Sequence, residues 1–152
     1  TKEVKAHAKQ PIIMKLSPNV TDITEMAKAA EAAGSDAISL INTITAMKID
    51  IYKRSFALAN KTGGLSGPAI KPVAVRMVYQ VANAVNIPII GMGGVSNYED
   101  VIEFMMAGAT AVAIGAMNFH NPYATEEAIH GIEHFMEKQG IDDINNIIGC
   151  VK

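Results

Sequence analysis

Short apolar runs alternate with helical stretches along this chain, and that alternation limits the possible folds more than any other feature. Residues 11–16 (PIIMKL), 37–41 (AISLI), 87–90 (IPII) and 111–114 (AVAI) read as buried strands. Thr21 or Asp22 caps a helix running to about Ala33, with Ile23, Met26, Ala27 and Ala30 on one face and Gly34 at the C-terminal cap. A second helix is expected from about Pro72 to Val85, with proline in its first turn. Ser96 and Glu99 form a capping box for a third, ending near Gly108. Thr125 caps a last helix of about 12 residues, stopped by Gly140. Residues 43–67 form a long polar stretch without clear periodicity.

Strands alternating with helices predict a parallel α/β fold. A weak internal repeat favours a barrel over an open sheet: AGSDAI at residues 33–38 resembles AGATAV at residues 107–112. In both, a helix ends on glycine and re-enters a strand through the same turn. A closed (β/α)8 TIM barrel needs eight such units and typically about 250 residues, but only four are present here. Four parallel strands leave two open edges, which must be covered or paired. The chain is therefore expected to be a single partial domain over residues 1–152, the C-terminal half of a TIM barrel, with no second domain. The competing architecture is a complete small doubly wound domain.

Composition narrows the function classes. With 13 basic against 15 acidic residues, the balance argues against a nucleic-acid-binding surface. No apolar run approaches the roughly 18 residues that cross a bilayer, so no membrane span is expected. The single cysteine, Cys150, excludes an internal disulfide and any cysteine-only metal site, and a reducing, cytoplasmic setting is the default expectation. His130 and His134 have metal-capable spacing, but HGIEH lacks the zinc-protease order and a third ligand, so no metal site is expected.

The strongest chemical signal is Gly91-Met92-Gly93-Gly94, directly after a strand. Glycines there let backbone N–H groups approach a ligand, and a following helix N-terminus suits an anion. Gly115-Ala116 occupies the same position one βα unit later. Barrels commonly bind phosphate at the loops after their last two strands. Tight-turn glycines without a ligand are the alternative. Lys15 interrupts an apolar strand, where an unpaired ammonium is costly. It either points into a ligand face, stabilising an anion or forming a Schiff base, or reaches solvent. Asn42 and Thr43 suit a planar, multiply hydrogen-bonding substrate, or are turn residues. The glycine-rich residues 62–67 either hug a cofactor or form a flexible turn.

Taken together, KLSPNVTDI, LINT, TGGLSGPAIKP, IPIIGMGGV and the glycine of AVAIGA resemble dihydroorotate dehydrogenase, most closely the class 1B catalytic subunits of bacteria. The five segments occur in order over residues 11–122. The resemblance implies FMN-dependent oxidation of dihydroorotate to orotate in pyrimidine biosynthesis. It also implies that Lys15, Ile41, Gly67, Gly93, Gly94, Gly115 and Ala116 bind FMN, and that Asn42 and Thr43 hold the orotate ring. Family members often carry threonine where Ala116 stands, so one hydroxyl contact would be lost here. The family's base is a cysteine on a loop that no segment here matches, and Cys150 does not fit that motif. The isolated chain is therefore expected to be inactive. The resemblance further implies an electron-transfer partner subunit carrying FAD and a [2Fe–2S] cluster, and residues 46–61 are either a lid, a subunit contact or a solvated loop. Two rivals stand beside this reading. One is a different TIM-barrel enzyme that uses Lys15 on a phosphate-bearing substrate. The other is a non-catalytic half barrel that self-associates, and open edges make a homo-oligomer an expectation in any case.

Overall fold

The structure, a computed structural model, describes residues 1–151. A short helix α1 (Lys2–His7) precedes strand β1 (Ile13–Leu16), helix α2 (Ile23–Ala32) and strand β2 (Ala37–Leu40). Four further strands follow: β3 (Ile44–Met47), β4 (Ile49–Asp50), β5 (Ser55–Phe56) and β6 (Thr62–Leu65). The chain then runs through α3 (Lys71–Ala82), β7 (Ile89–Met92), α4 (Tyr98–Met106), β8 (Ala111–Ala113) and α5 (Ala124–Gln139).

The main sheet is wholly parallel, in the order β1-β2-β7-β8. That order follows the chain and never reverses, whereas a doubly wound sheet reverses at its switch point. The competing doubly wound architecture is thereby overturned, and the arrangement is that of half a (β/α)8 barrel. Ile38 and Leu40 of β2, Val78 and Val81 of α3 and Phe104 of α4 form the fully buried centre of the core. Alternate strand residues face the other way. Lys15, Ser39, Ile90 and Ala111 are register partners in one row across the sheet.

The repeat in the sequence has a structural cause. After α2, Gly34 (φ +86) donates to the Glu31 carbonyl at 2.9 Å, and Ser35 donates to the Ala30 carbonyl at 3.1 Å. After α4, Gly108 (φ +114) donates to Met105 at 2.9 Å, and Ala109 donates to Phe104 at 3.0 Å. Both are the same glycine-terminated helix end, with paired bonds back into the last turn. The next strand then begins by pairing with the one before it: Asp36 donates to Ile12, and Thr110 to Ile89.

Several boundaries differ from expectation. The third strand of the main sheet is Ile89–Met92, two residues later than the apolar run, because its register with β2 pairs Ser39 with Ile90 and Leu40 with Gly91. Gly91 is thus a strand residue packed under the Phe104 ring: a Cβ there would lie 2.6 Å from the ring. Helix α4 is capped by Asn97, not Ser96, since the Asn97 side chain accepts from the Asp100 amide at 2.9 Å. Replacing Asn97 with alanine is expected to cost about 1 kcal/mol, read from the midpoint of denaturant unfolding. Thr125 does not cap α5; it lies inside a 16-residue helix with no side-chain cap, and its hydroxyl turns toward Asn118.

Residues 43–67 are not an irregular loop. Strands β3 and β6 pair antiparallel, and so do β4 and β5. Gly64 faces Thr43 so closely that a Cβ would meet its side chain, so this glycine belongs to a ribbon, not a flexible turn. Ile51 and Tyr52 follow β4 and are highly exposed. Helix α1 buries no residue and is tied down by Lys5, whose Nζ donates to Asp36 at 2.6 Å. That partnership, with a bond from the Ile12 amide, holds the Asp36 carboxyl below its ordinary pKa.

Candidate functional site

In a parallel sheet of this kind, all strands deliver their C-terminal ends to one rim, and ligands bind there. At that rim lies a cavity of about 450 Å³. Lys15, Ile41, Asn42, Thr43, Gly67, Gly93, Gly94, Gly115 and Ala116 all line it. Residues that the sequence scatters over 102 positions therefore converge on one space. A larger groove of about 900 Å³ lies on the outer helical face, between α3, α4 and α5. It is walled by side chains such as Val75, Tyr79, Ile102 and Phe135, and no strand end reaches it.

Each wall has its own cause. Lys15 is exposed on β1, and among the described residues it pairs with no carboxylate. Ile41 is buried at the end of β2, its Cγ1 3.2 Å from where a Cβ on Gly93 would stand. Gly93 and Gly94 follow β7 with φ of +124° and +81°. A Cβ on Gly94 would sit 2.8 Å from the Gly67 carbonyl oxygen and 2.8 Å from the Lys71 nitrogen. Only glycine satisfies both the backbone angle and that approach. Gly115 is different: its φ is −108° and an added Cβ would meet nothing within 4 Å. Its surroundings are open space.

These features fit the phosphate end of FMN. At Gly93 and Gly94 the backbone closes directly onto Ile41, Gly67 and Lys71, while Gly115 faces open space at the same rim. The cavity offers a cation at Lys15 and an apolar wall at Ile41, with neutral polar groups at Asn42 and Thr43.

Three residues outside the nine candidates shape this site. Asn19 bridges two rim loops: its amide donates to the Thr43 carbonyl at 3.1 Å, and its oxygen accepts from the Thr45 amide at 2.9 Å. The other two are Lys71 and Asp100, bonded at 2.6 Å. Lys71 also reaches Glu103, and these carboxylates, Asp100 first, raise its pKa above the ordinary lysine value. Asn19 stands in a strand-to-helix loop, a position that could have flagged it. Lys71 and Asp100 are 29 residues apart, on two different helices, and nothing in the spacing joins them.

Of the remaining polar groups, His130 is exposed on α5 beside Glu133 at 3.4 Å. Among the described residues no group of three or more His, Cys, Asp or Glu could hold a metal ion. No described helix is long and apolar enough to cross a membrane.

Comparison with known proteins connects this site to a family. The catalytic subunit of dihydroorotate dehydrogenase B (NAD(+)) from Lachnoclostridium phytofermentans is 74% identical over 150 residues, 99% of this chain and 50% of that protein. The same subunit from Alkaliphilus oremlandii is 65% identical over 149 residues, 98% of this chain and 49% of that protein. That of a Thermoanaerobacter species is 57% identical over 152 residues, 100% and 50% respectively. The chain thus spans about half the length of the curated relatives it matches. The family description "Dihydroorotate dehydrogenase" matches residues 1–136. With that match covering both the sheet and the cavity at its rim, the chain belongs to the dihydroorotate dehydrogenase family.

Proposed function

We propose that the protein carrying this chain oxidises dihydroorotate to orotate in pyrimidine biosynthesis, with FMN seated in the cavity at the sheet rim. One observation carries the reading: the candidate residues converge on a single cavity in a chain of this family. When bound, FMN supplies the ring that takes up the hydride. The Lys15 ammonium provides positive charge where the reduced, anionic ring would otherwise be unfavourable. Ile41 gives that ring an apolar neighbour and keeps water from it. Asn42 and Thr43 orient the substrate through neutral donors and acceptors. Backbone N–H groups at Gly93, Gly94, Gly115 and Ala116 take the phosphate, with the open space at Gly115 to receive it.

We assign none of these residues as the base that takes the substrate's carbon-bound proton. The family resemblance gives that role to a cysteine on a segment outside them, so this chain by itself does not turn over dihydroorotate. The open edges at β1 and β8 support completion of the barrel by a further set of βα units, and from the family resemblance we assign this chain to its C-terminal half. The relatives' description as a catalytic subunit supports a separate electron-transfer partner, to which we assign the FAD and the [2Fe–2S] cluster. We further place the protein in the cytoplasm, as a homo-oligomer.

The test is anaerobic addition of dihydroorotate to the full-length protein. Its FMN should bleach, and Lys15→Ala should slow the bleaching about 100-fold or more while FMN stays bound. A full-length protein that holds no FMN, or whose FMN dihydroorotate does not reduce, overturns the reading.

A further inference from the structure

The loop from Gly93 to Ser96 bears much of the proposed phosphate site, and of its own residues Val95 anchors it in the core. Its two glycines have backbone angles that favour no single conformation in a free chain. Support comes from Asp100, a carboxylate only 7% exposed. One Asp100 oxygen accepts from the Ser96 amide at 2.8 Å, and the other accepts from Lys71 Nζ at 2.6 Å. The Asp100 amide in turn donates to Asn97. Lys71 also packs on the same loop, because its backbone nitrogen and Cβ close the space beside Gly94. A buried carboxylate that loses its cation keeps only the Ser96 amide against its desolvation penalty, so removing either partner strains the other.

We propose that Lys71 and Asp100 are positioning residues that hold the Gly93–Ser96 loop in its phosphate-receiving shape without touching the ligand. The proposal rests on the FMN reading above. The competing role is a helix-to-helix tie with no bearing on the ligand. Riboflavin, which is FMN without its phosphate, separates the two.

Dissociation constants for FMN and riboflavin are measured on the full-length protein by flavin fluorescence. Asp100→Asn is expected to weaken FMN binding about 10-fold or more, since bonds to a charged group are at stake, and to leave riboflavin within about 2-fold. If that variant fails to fold, Lys71→Gln, which keeps a donor toward Asp100, is expected to give the same split. Equal weakening of both flavins, or no change in either, overturns the proposal. An unaltered protein that binds riboflavin as tightly as FMN removes the phosphate site and the proposal with it. Because that result needs no variant, the two failures are told apart.

Discussion

Gly94→Ala is expected to abolish FMN retention, with affinity reduced at least about 100-fold, and to lower stability by about 2–4 kcal/mol. The residue's φ is +81°, a region costly for any side-chain-bearing residue. The added methyl would lie 2.8 Å from both the Gly67 carbonyl oxygen and the Lys71 nitrogen. Both obstacles are backbone atoms, so no rotamer change relieves the contact. Either the loop after β7 or the turn before α3 has to move, and both line the cavity. Gly115→Ala is the matched comparison. Its methyl meets nothing within 4 Å, and its φ is already negative. Stability should stay within about 0.5 kcal/mol, the range of an unconstrained surface change, and any loss of FMN then reports crowding inside the cavity. Thermal unfolding with and without added FMN reads both effects; a Gly94→Ala protein with unaltered FMN binding removes the cradle from the site.

Phe104→Ala should cost about 3–5 kcal/mol, a large share of a domain's total stability. The ring is fully buried in the centre of the core, on the face of the sheet that α4 covers. It packs against Gly91 in β7, where the missing side chain makes the room that the ring occupies. Gly91→Ala should therefore be damaging alone, because its methyl would stand 2.6 Å from the ring. In the Phe104→Ala background the same methyl enters the vacated space and should recover part of the loss. A double-mutant cycle by denaturant unfolding checks this, and simple additivity of the two changes would refute the packing account.

The glycines show how far the sequence can be read. GMGG after an apolar run reads as one phosphate-loop signal, but its members have different work. Gly91 makes room for Phe104, and Gly93 and Gly94 build the cradle. Sequence spacing cannot separate them, because the cause lies in an aromatic ring 13 positions away. The same holds for residues 62–67. Their glycines look like a flexible turn, yet Gly64 is required by the Thr43 side chain across a ribbon. Conversely, the helix ends at Gly34 and Gly108 were legible at once. Their paired bonds lie within five residues of the glycine, so the cause and the signal share one segment.

Local chemistry written in the chain was enough to determine the alternation of strands and helices and the glycine-closed helix ends. Each depends on side-chain periodicity or on backbone freedom within a few neighbouring residues. Tertiary structure alone decided the unreversed strand order, the register that carried β7 two residues past its apolar run, and the Lys71–Asp100 grip on the rim loop. Those depend on which distant segments meet, and a pairing between residues far apart in the chain leaves no periodic mark on either of them.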